Sequence, residues 1–109
     1  MATFRFSSAP GVFYVTLEGL FNKDSAAQYV NSFLYELNKI DPPNCELYFD
    51  VTKFQLLPAE MLETLEGCFK LYQSIGFKKI LINLGGNTIL GMQVTRIAKR
   101  AGLENYELI

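Results

Sequence analysis

Two short stretches hold the residues best placed to do chemistry. In YFDVTKFQLLPAEMLETL, Tyr48 to Leu65, a β-branched and aromatic run passes Asp50, Thr52 and Lys53 and reaches Leu57, Pro58, Ala59 and Glu60, where a helical rhythm starts. In GGNT, Gly85, Gly86, Asn87 and Thr88 lead from an apolar run into another helical pattern. A helix N-terminus beyond the carboxyl end of a strand is where an α/β fold usually binds or reacts, because unpaired N–H groups point there. The first stretch carries neither a nucleophile with its base nor a glycine loop. The second could cradle an anion or a nucleotide phosphate, but it lacks the lysine of a P-loop and the G-x-G-x-x-G order. A plain turn in which Asn87 or Thr88 caps the following helix is the more ordinary reading.

The rest of the chain adds little reactivity. It contains no histidine, which removes the usual general base, the common metal ligand and every imidazole-dependent triad. Cys45 and Cys68 are too far apart in sequence to suggest a zinc site, and the acidic residues show no calcium-loop spacing. Both cysteines read as core thiols in a reducing cytoplasm. Glu60, Glu63 and Glu66 recur at near-helical spacing and suit a solvated face better than a catalytic pair. No enzyme activity, cofactor or metal is expected.

The elements that must position these stretches follow from pattern. With 109 residues, half of them hydrophobic, the chain can build one core and one domain over residues 1–109. Ten basic residues balance eleven acidic ones and no like-charge run occurs, which argues against a nucleic-acid groove or a polybasic membrane patch. No run approaches the roughly 20 apolar residues of a membrane span, and MATFRFSSAPG lacks a signal-peptide pattern. Two alternating stretches around Ala9, Pro10 and Gly11 predict a hairpin, with strands over Thr3 to Ser7 and Val12 to Glu18.

Val30, Phe33, Leu34 and Leu37 mark the inner face of a first helix, capped by Asn22 or Asp24 and ended by Pro42 and Pro43. CELYFDV, ending near Val51, and KKILINL are short apolar runs, expected of strands covered on both faces or at a sheet centre. The second helix is predicted from Pro58, with Leu62, Leu65, Phe69 and Tyr72 inward, to a stop at Gly76. The third carries Leu90, Val94, Ile97, Ala98 and Ala101 on one face, has Lys99 and Arg100 at its negative end, and closes at Gly102. NYELI supplies a last strand. The expected fold is α/β, a mixed β-sheet backed by helices in the order ββαβαβαβ, with Thr52 to Glu60 and Gly85 to Thr88 aimed at one edge.

In that order the chain resembles the STAS domain, the module of sulfate transporters and anti-sigma-factor antagonists. VFYVTLEGLF is similar to the family's second strand and turn, LYFDVTKF to its central strand ending in an Asp, and GFKKILINL with IAKRAGLENYELI to its closing strand, helix and tail. The resemblance covers nearly the whole chain and rests on the pieces being in the right order. It implies a non-enzymatic regulatory module that binds a protein partner, an anti-sigma factor or kinase-like regulator, through Thr52, Lys53, Pro58, Ala59 and Glu60. It also permits a small-ligand domain, with a nucleotide or lipid near Gly85 to Thr88 or between helix and sheet. It allows a homo-oligomer as well as a monomer.

Antagonists of the family carry a phosphorylated hydroxyl in a short segment at the start of the second helix. Pro58, Ala59, Glu60 and Met61 match that segment here, and the acceptor position falls on Glu60. No hydroxyl is there to receive phosphate. Glu60 can be a helix cap, reaching back to the N–H of Leu57 at the positive end of the helix. Alternatively, its carboxylate imitates the phosphorylated acceptor permanently.

Overall fold

Pro10 and Gly11, the glycine at φ 79°, fold the chain back so that Ala9 faces Val12 and a hairpin forms. In the computed structural model, which describes residues 2–55 and 57–109, this hairpin joins β1 (Thr3–Ala9) to β2 (Val12–Gly19). Then follow α1 (Lys23–Leu37), β3 (Glu46–Phe54), α2 (Leu62–Ile75), β4 (Lys79–Asn83), α3 (Thr88–Ala101) and β5 (Tyr106–Leu108). The strands lie side by side in chain order, β1-β2-β3-β4-β5, with β1 antiparallel to β2 and every later pair parallel. This is an α/β architecture with a five-stranded mixed sheet and three helices.

Each parallel step moves one strand in the same direction, and right-handed crossovers then put α1, α2 and α3 on the same side. Burial alternates accordingly. Phe13, Val15, Leu47, Phe49, Val51, Ile80 and Ile82 are buried under the helices, whereas Tyr48, Asp50, Leu81 and Asn83 on the other side are only half-buried. The central strands β3 and β4 are therefore covered on one face only. Of the two expected alternatives, cover on both faces or a place at the sheet centre, they show the second, since among the described residues no helix crosses to the other side. Tyr14, whose ring lies 5.6 Å from Tyr48 on that side, is 38% exposed and does not belong to the core.

The helix ends follow local chemistry. Asn22 caps α1 by accepting from the Ser25 N–H at 2.8 Å, while the Ser25 hydroxyl accepts from the Asn22 N–H at 2.9 Å. Gly76 and Gly102, both left-handed, close α2 and α3. The buried face of α1 is Ala26, Tyr29 and Phe33, with Val30 and Leu37 half-buried and Leu34 exposed. It is rotated from the expected stripe because Tyr29 turns inward, where its hydroxyl meets that of Tyr72 at 2.6 Å. In α2, Cys68, Phe69 and Tyr72 are buried and Leu62 only half so, since Leu62 opens the helix at its outer end. Leu90, Val94, Ile97 and Ala98 line the inner face of α3 as the spacing predicts. Glu66, one of the expected solvated acids, ties α2 to α3 through Arg100 at 3.2 Å and pairs with Lys70 at 3.3 Å.

Candidate functional site

The carboxyl ends of β2, β3, β4 and β5 all reach one edge of the sheet, and both stretches singled out in the sequence lie there. β3 runs three residues beyond Val51, so Thr52 and Lys53 belong to the strand rather than to the crossing. An irregularity between Thr16 and Glu18 in β2 lets Lys53 pair with Glu18 and Phe54 with Gly19. At this end Asp50 Oδ1 accepts from both the N–H of Thr52, at 3.0 Å, and its hydroxyl, at 2.8 Å. A short side chain bonded two residues along fixes the turn of the backbone.

The crossing from β3 to α2 departs from the expected helix start. Pro58 is extended, at ψ 155°, Ala59–Met61 form a 3-10 turn, and the α-helix begins only at Leu62. Proline pre-sets its own φ but not a helical ψ. Glu60 therefore stands in the 3-10 turn, exposed, instead of at a third α-helical position. Nor does it bond Leu57. That main chain is held by Gln93 of α3, whose Oε1 accepts from the Leu57 N–H at 3.3 Å and whose Nε2 donates to the Leu57 carbonyl at 3.2 Å. A primary amide carries both a donor and an acceptor, so one side chain can satisfy both groups of a non-helical residue. Residue 56 of this crossing lies outside the described residues.

The crossing from β4 to α3 sits against the first. A Cβ on Gly85, whose φ is +61°, would stand 2.9 Å from Thr52 Cγ2. The Thr52 side chain at the end of β3 thus fills the space that a side chain at position 85 would need, and the positive φ there suits glycine as well. In GGNT, the Gly85 N–H donates to Asn83 Oδ1 at 3.1 Å, the Asn87 N–H to the Leu84 carbonyl at 3.2 Å, and the Leu90 N–H to Asn87 Oδ1 at 3.0 Å. Asn87 is the N-cap of α3. These bonds turn three main-chain donors of the α3 entry inward to the protein itself, which is the plain-turn arrangement.

The edge is also apolar. Ile89 is 58% exposed and Met92 66%, on the first turns of α3, and Leu20 after β2 and Ile109 after β5 are about half exposed at the same edge. Sequence reasoning missed these residues and Gln93. A readable sign existed for Ile89 and Met92, since they are apolar but stand off the inward stripe set by Leu90, Val94 and Ile97. Gln93 gave none, because its partner is 36 residues away.

Under the crossing lie two adjoining cavities of about 50 Å³ each. Leu17, Phe54, Leu57, Leu65 and Tyr72 line both; Val51, Leu90 and Val94 are among the other walls of one, and Phe21, Met61 and Cys68 among those of the other. Burial raises the phenol of Tyr29 and that of Tyr72 well above the usual tyrosine range and pushes the Cys68 thiol up to about 11. All three are therefore neutral hydrogen-bonding groups at neutral pH, and none is an ionised nucleophile. Among the described residues no cluster of potential metal ligands occurs, and no helix is long and apolar enough to cross a membrane.

No protein-family model matches this chain, and no curated protein matches it either.

Proposed function

We propose that this chain is a small, non-enzymatic STAS-like regulatory module of the reducing cytoplasm that docks a protein partner on the carboxyl edge of its sheet. The observation that carries this reading is the gathering of exposed apolar side chains at that edge, Ile89 and Met92 above all, beside Pro58, Ala59, Thr52 and Lys53. Exposed apolar groups clustered over a rigid edge and rimmed by charge suit a protein interface. The family resemblance points to an anti-sigma factor or kinase-like regulator as the partner class. Glu60 on its 3-10 turn offers such a partner a fixed negative charge where antagonists carry a phosphorylated hydroxyl.

The test is affinity capture followed by titration of the captured partner. Ala59→Arg and Met92→Asp should each weaken binding about tenfold or more, equivalent to about 1.4 kcal/mol. Glu60→Gln should retain most of it, whereas a tenfold loss in both Glu60→Gln and Glu60→Ser would mean that the partner reads the charge. Full binding by Ala59→Arg and Met92→Asp together would move the interface away from this edge.

The paired cavities favour one form of the small-ligand alternative, an apolar ligand rather than a nucleotide. Their walls are mostly aliphatic and aromatic, and apolar cavities take up small apolar molecules. A thermal-shift series separates the two ligand classes. Stabilisation by a fatty acid would require the two cavities to join and widen, since about 50 Å³ each is well below the size of a ligand pocket, and specific stabilisation by a nucleotide would return attention to Gly85, Gly86, Asn87 and Thr88.

A further inference from the structure

β1 is an edge strand, paired with β2 on one side only. Proteins ordinarily blunt such an edge with a short strand, a proline, a bulge or charge. The far edge obeys the rule, since β5 has three residues and its Glu107 pairs with Lys79 at 3.8 Å. β1 does not obey it. It has seven residues, TFRFSSA, with no proline, and its single charge, Arg5, is occupied by Glu18 at 3.6 Å. Beside it opens a groove of about 680 Å³ lined by Phe4, Arg5 and Phe6 of β1 and by Asn31, Ser32, Tyr35 and Glu36 of α1. Tyr35 is 64% exposed there.

The hairpin fixes which groups point outward. Its two-residue turn closes Ala9 on Val12, so Ala9, Ser7, Arg5 and Thr3 direct their main-chain groups to β2. The N–H and C=O of Phe4, Phe6 and Ser8 consequently face the open edge. We infer that β1 pairs antiparallel with β1 of a second copy about a two-fold axis through Phe6, joining the two sheets into one. In this register Phe6 stands opposite Phe6 of the second copy, Phe4 opposite Ser8, Arg5 opposite Ser7 and Thr3 opposite Ala9. The outward groups then meet in about six main-chain hydrogen bonds, each Phe4 faces a small Ser8 on either side of a central Phe6 pair, and no like charges oppose each other.

Competing registers are poorer for stated reasons. A one-residue slip sets outward groups of one copy against inward groups of the other and forms no ladder. A two-fold axis on Arg5 places two guanidinium groups directly opposite, which is destabilising. An axis on Ser7 brings Phe4 against Pro10, which has no N–H to give. A second copy therefore fits this edge as an isologous partner, with one patch serving both sides. The surface is separate from the carboxyl edge assigned to a regulatory partner, so either assignment can fail alone.

Sedimentation equilibrium from about 1 μM to about 1 mM covers the range in which a pairing of this size should appear. A monomer–dimer equilibrium is expected. Ser8→Pro removes an N–H that points away from β2, so it should leave the hairpin folded while raising the dimer Kd about tenfold or more. Ser7→Glu, placed opposite Arg5 of the second copy, should lower the Kd by about threefold, and Ser7→Arg should raise it. If Ser8→Pro fails to fold, the opposite signs of the two Ser7 substitutions carry the test alone. A chain that stays monomeric at the highest concentration, including one whose β1 edge accepts only an extended peptide from another protein, overturns the inference. So does a dimer indifferent to both Ser7 substitutions.

Discussion

Phe33→Ala is expected to destabilise the protein by about 3–5 kcal/mol, the cost of removing a large buried ring and leaving its cavity. Phe33 is fully buried at the centre of an aromatic cluster, its ring 5.2 Å from Tyr72, 5.7 Å from Phe13 and Tyr29, and 6.3 Å from Phe6 and Phe77. Those rings come from β1, β2, α1, α2 and the segment entering β4, so the hole cannot close by moving a single element. Tilted aromatic pairs contribute about 0.5–1.5 kcal/mol beyond area burial, which places the estimate toward its upper end. Against a typical net stability of about 5–15 kcal/mol, the loss is severe. It should lower the melting temperature by roughly 15 °C. Phe33→Leu, which keeps most of the volume, should cost about 1.5 kcal/mol or less. A loss below about 1 kcal/mol for Phe33→Ala would mean that the cluster is not the centre of the core.

The second large effect is alkaline unfolding. The Tyr29 and Tyr72 hydroxyls share one hydrogen bond of 2.6 Å, and burial, the dominant cause, raises both phenols well above 10 while lifting the Cys68 thiol to about 11. At pH 8 and below, these groups hold their protons in folded and unfolded chains alike, and their contribution to stability is complete. As pH rises past the unfolded pKa values, the unfolded chain releases first the thiol and then the phenols while the folded chain retains them. The unfolded state binds fewer protons there, so stability falls with pH. The thiol alone accounts for about 3 kcal/mol once pH has passed its folded value, and the two phenols add to the decline. Urea midpoints at pH 8, 9.5 and 10.5 measure it. Cys68→Ala should flatten the early part of the fall, and a stability that stays level across this range would show that the three groups are solvated.

How much of this could be read from the sequence depended on how local each cause was. The cap of α1 at Asn22, the stops at Gly76 and Gly102 and the inner stripe of α3 depend on residues within a turn of each other, and all were readable. The convergence of Thr52 and Gly85 at one edge followed from parallel strands alone. What could not be read was set by partners far along the chain. Tyr29 turns inward to reach Tyr72, 43 residues away. The start of α2 is delayed because Pro58 remains extended, and Gln93 takes the Leu57 N–H that a capping Glu60 would have reached, together with the Leu57 carbonyl. Whether β3 and β4 were covered on two faces or lay at the sheet centre stayed open in the sequence, because an apolar run looks the same in either case.

Strand order has a consequence for how this chain comes to be folded. Every strand lies next to its predecessor in sequence, so none has to be threaded between two that are already paired. The hairpin needs no loop longer than its turn, and each later helix and strand can be laid on the growing side of what precedes it. Loop closure is then met one crossover at a time, each spanning a single helix, with none reaching across the whole chain. A chain emerging from a ribosome amino end first could assemble in the order of its synthesis. β5, a three-residue strand at the open edge, would be the first to peel away, leaving the other four strands still in register.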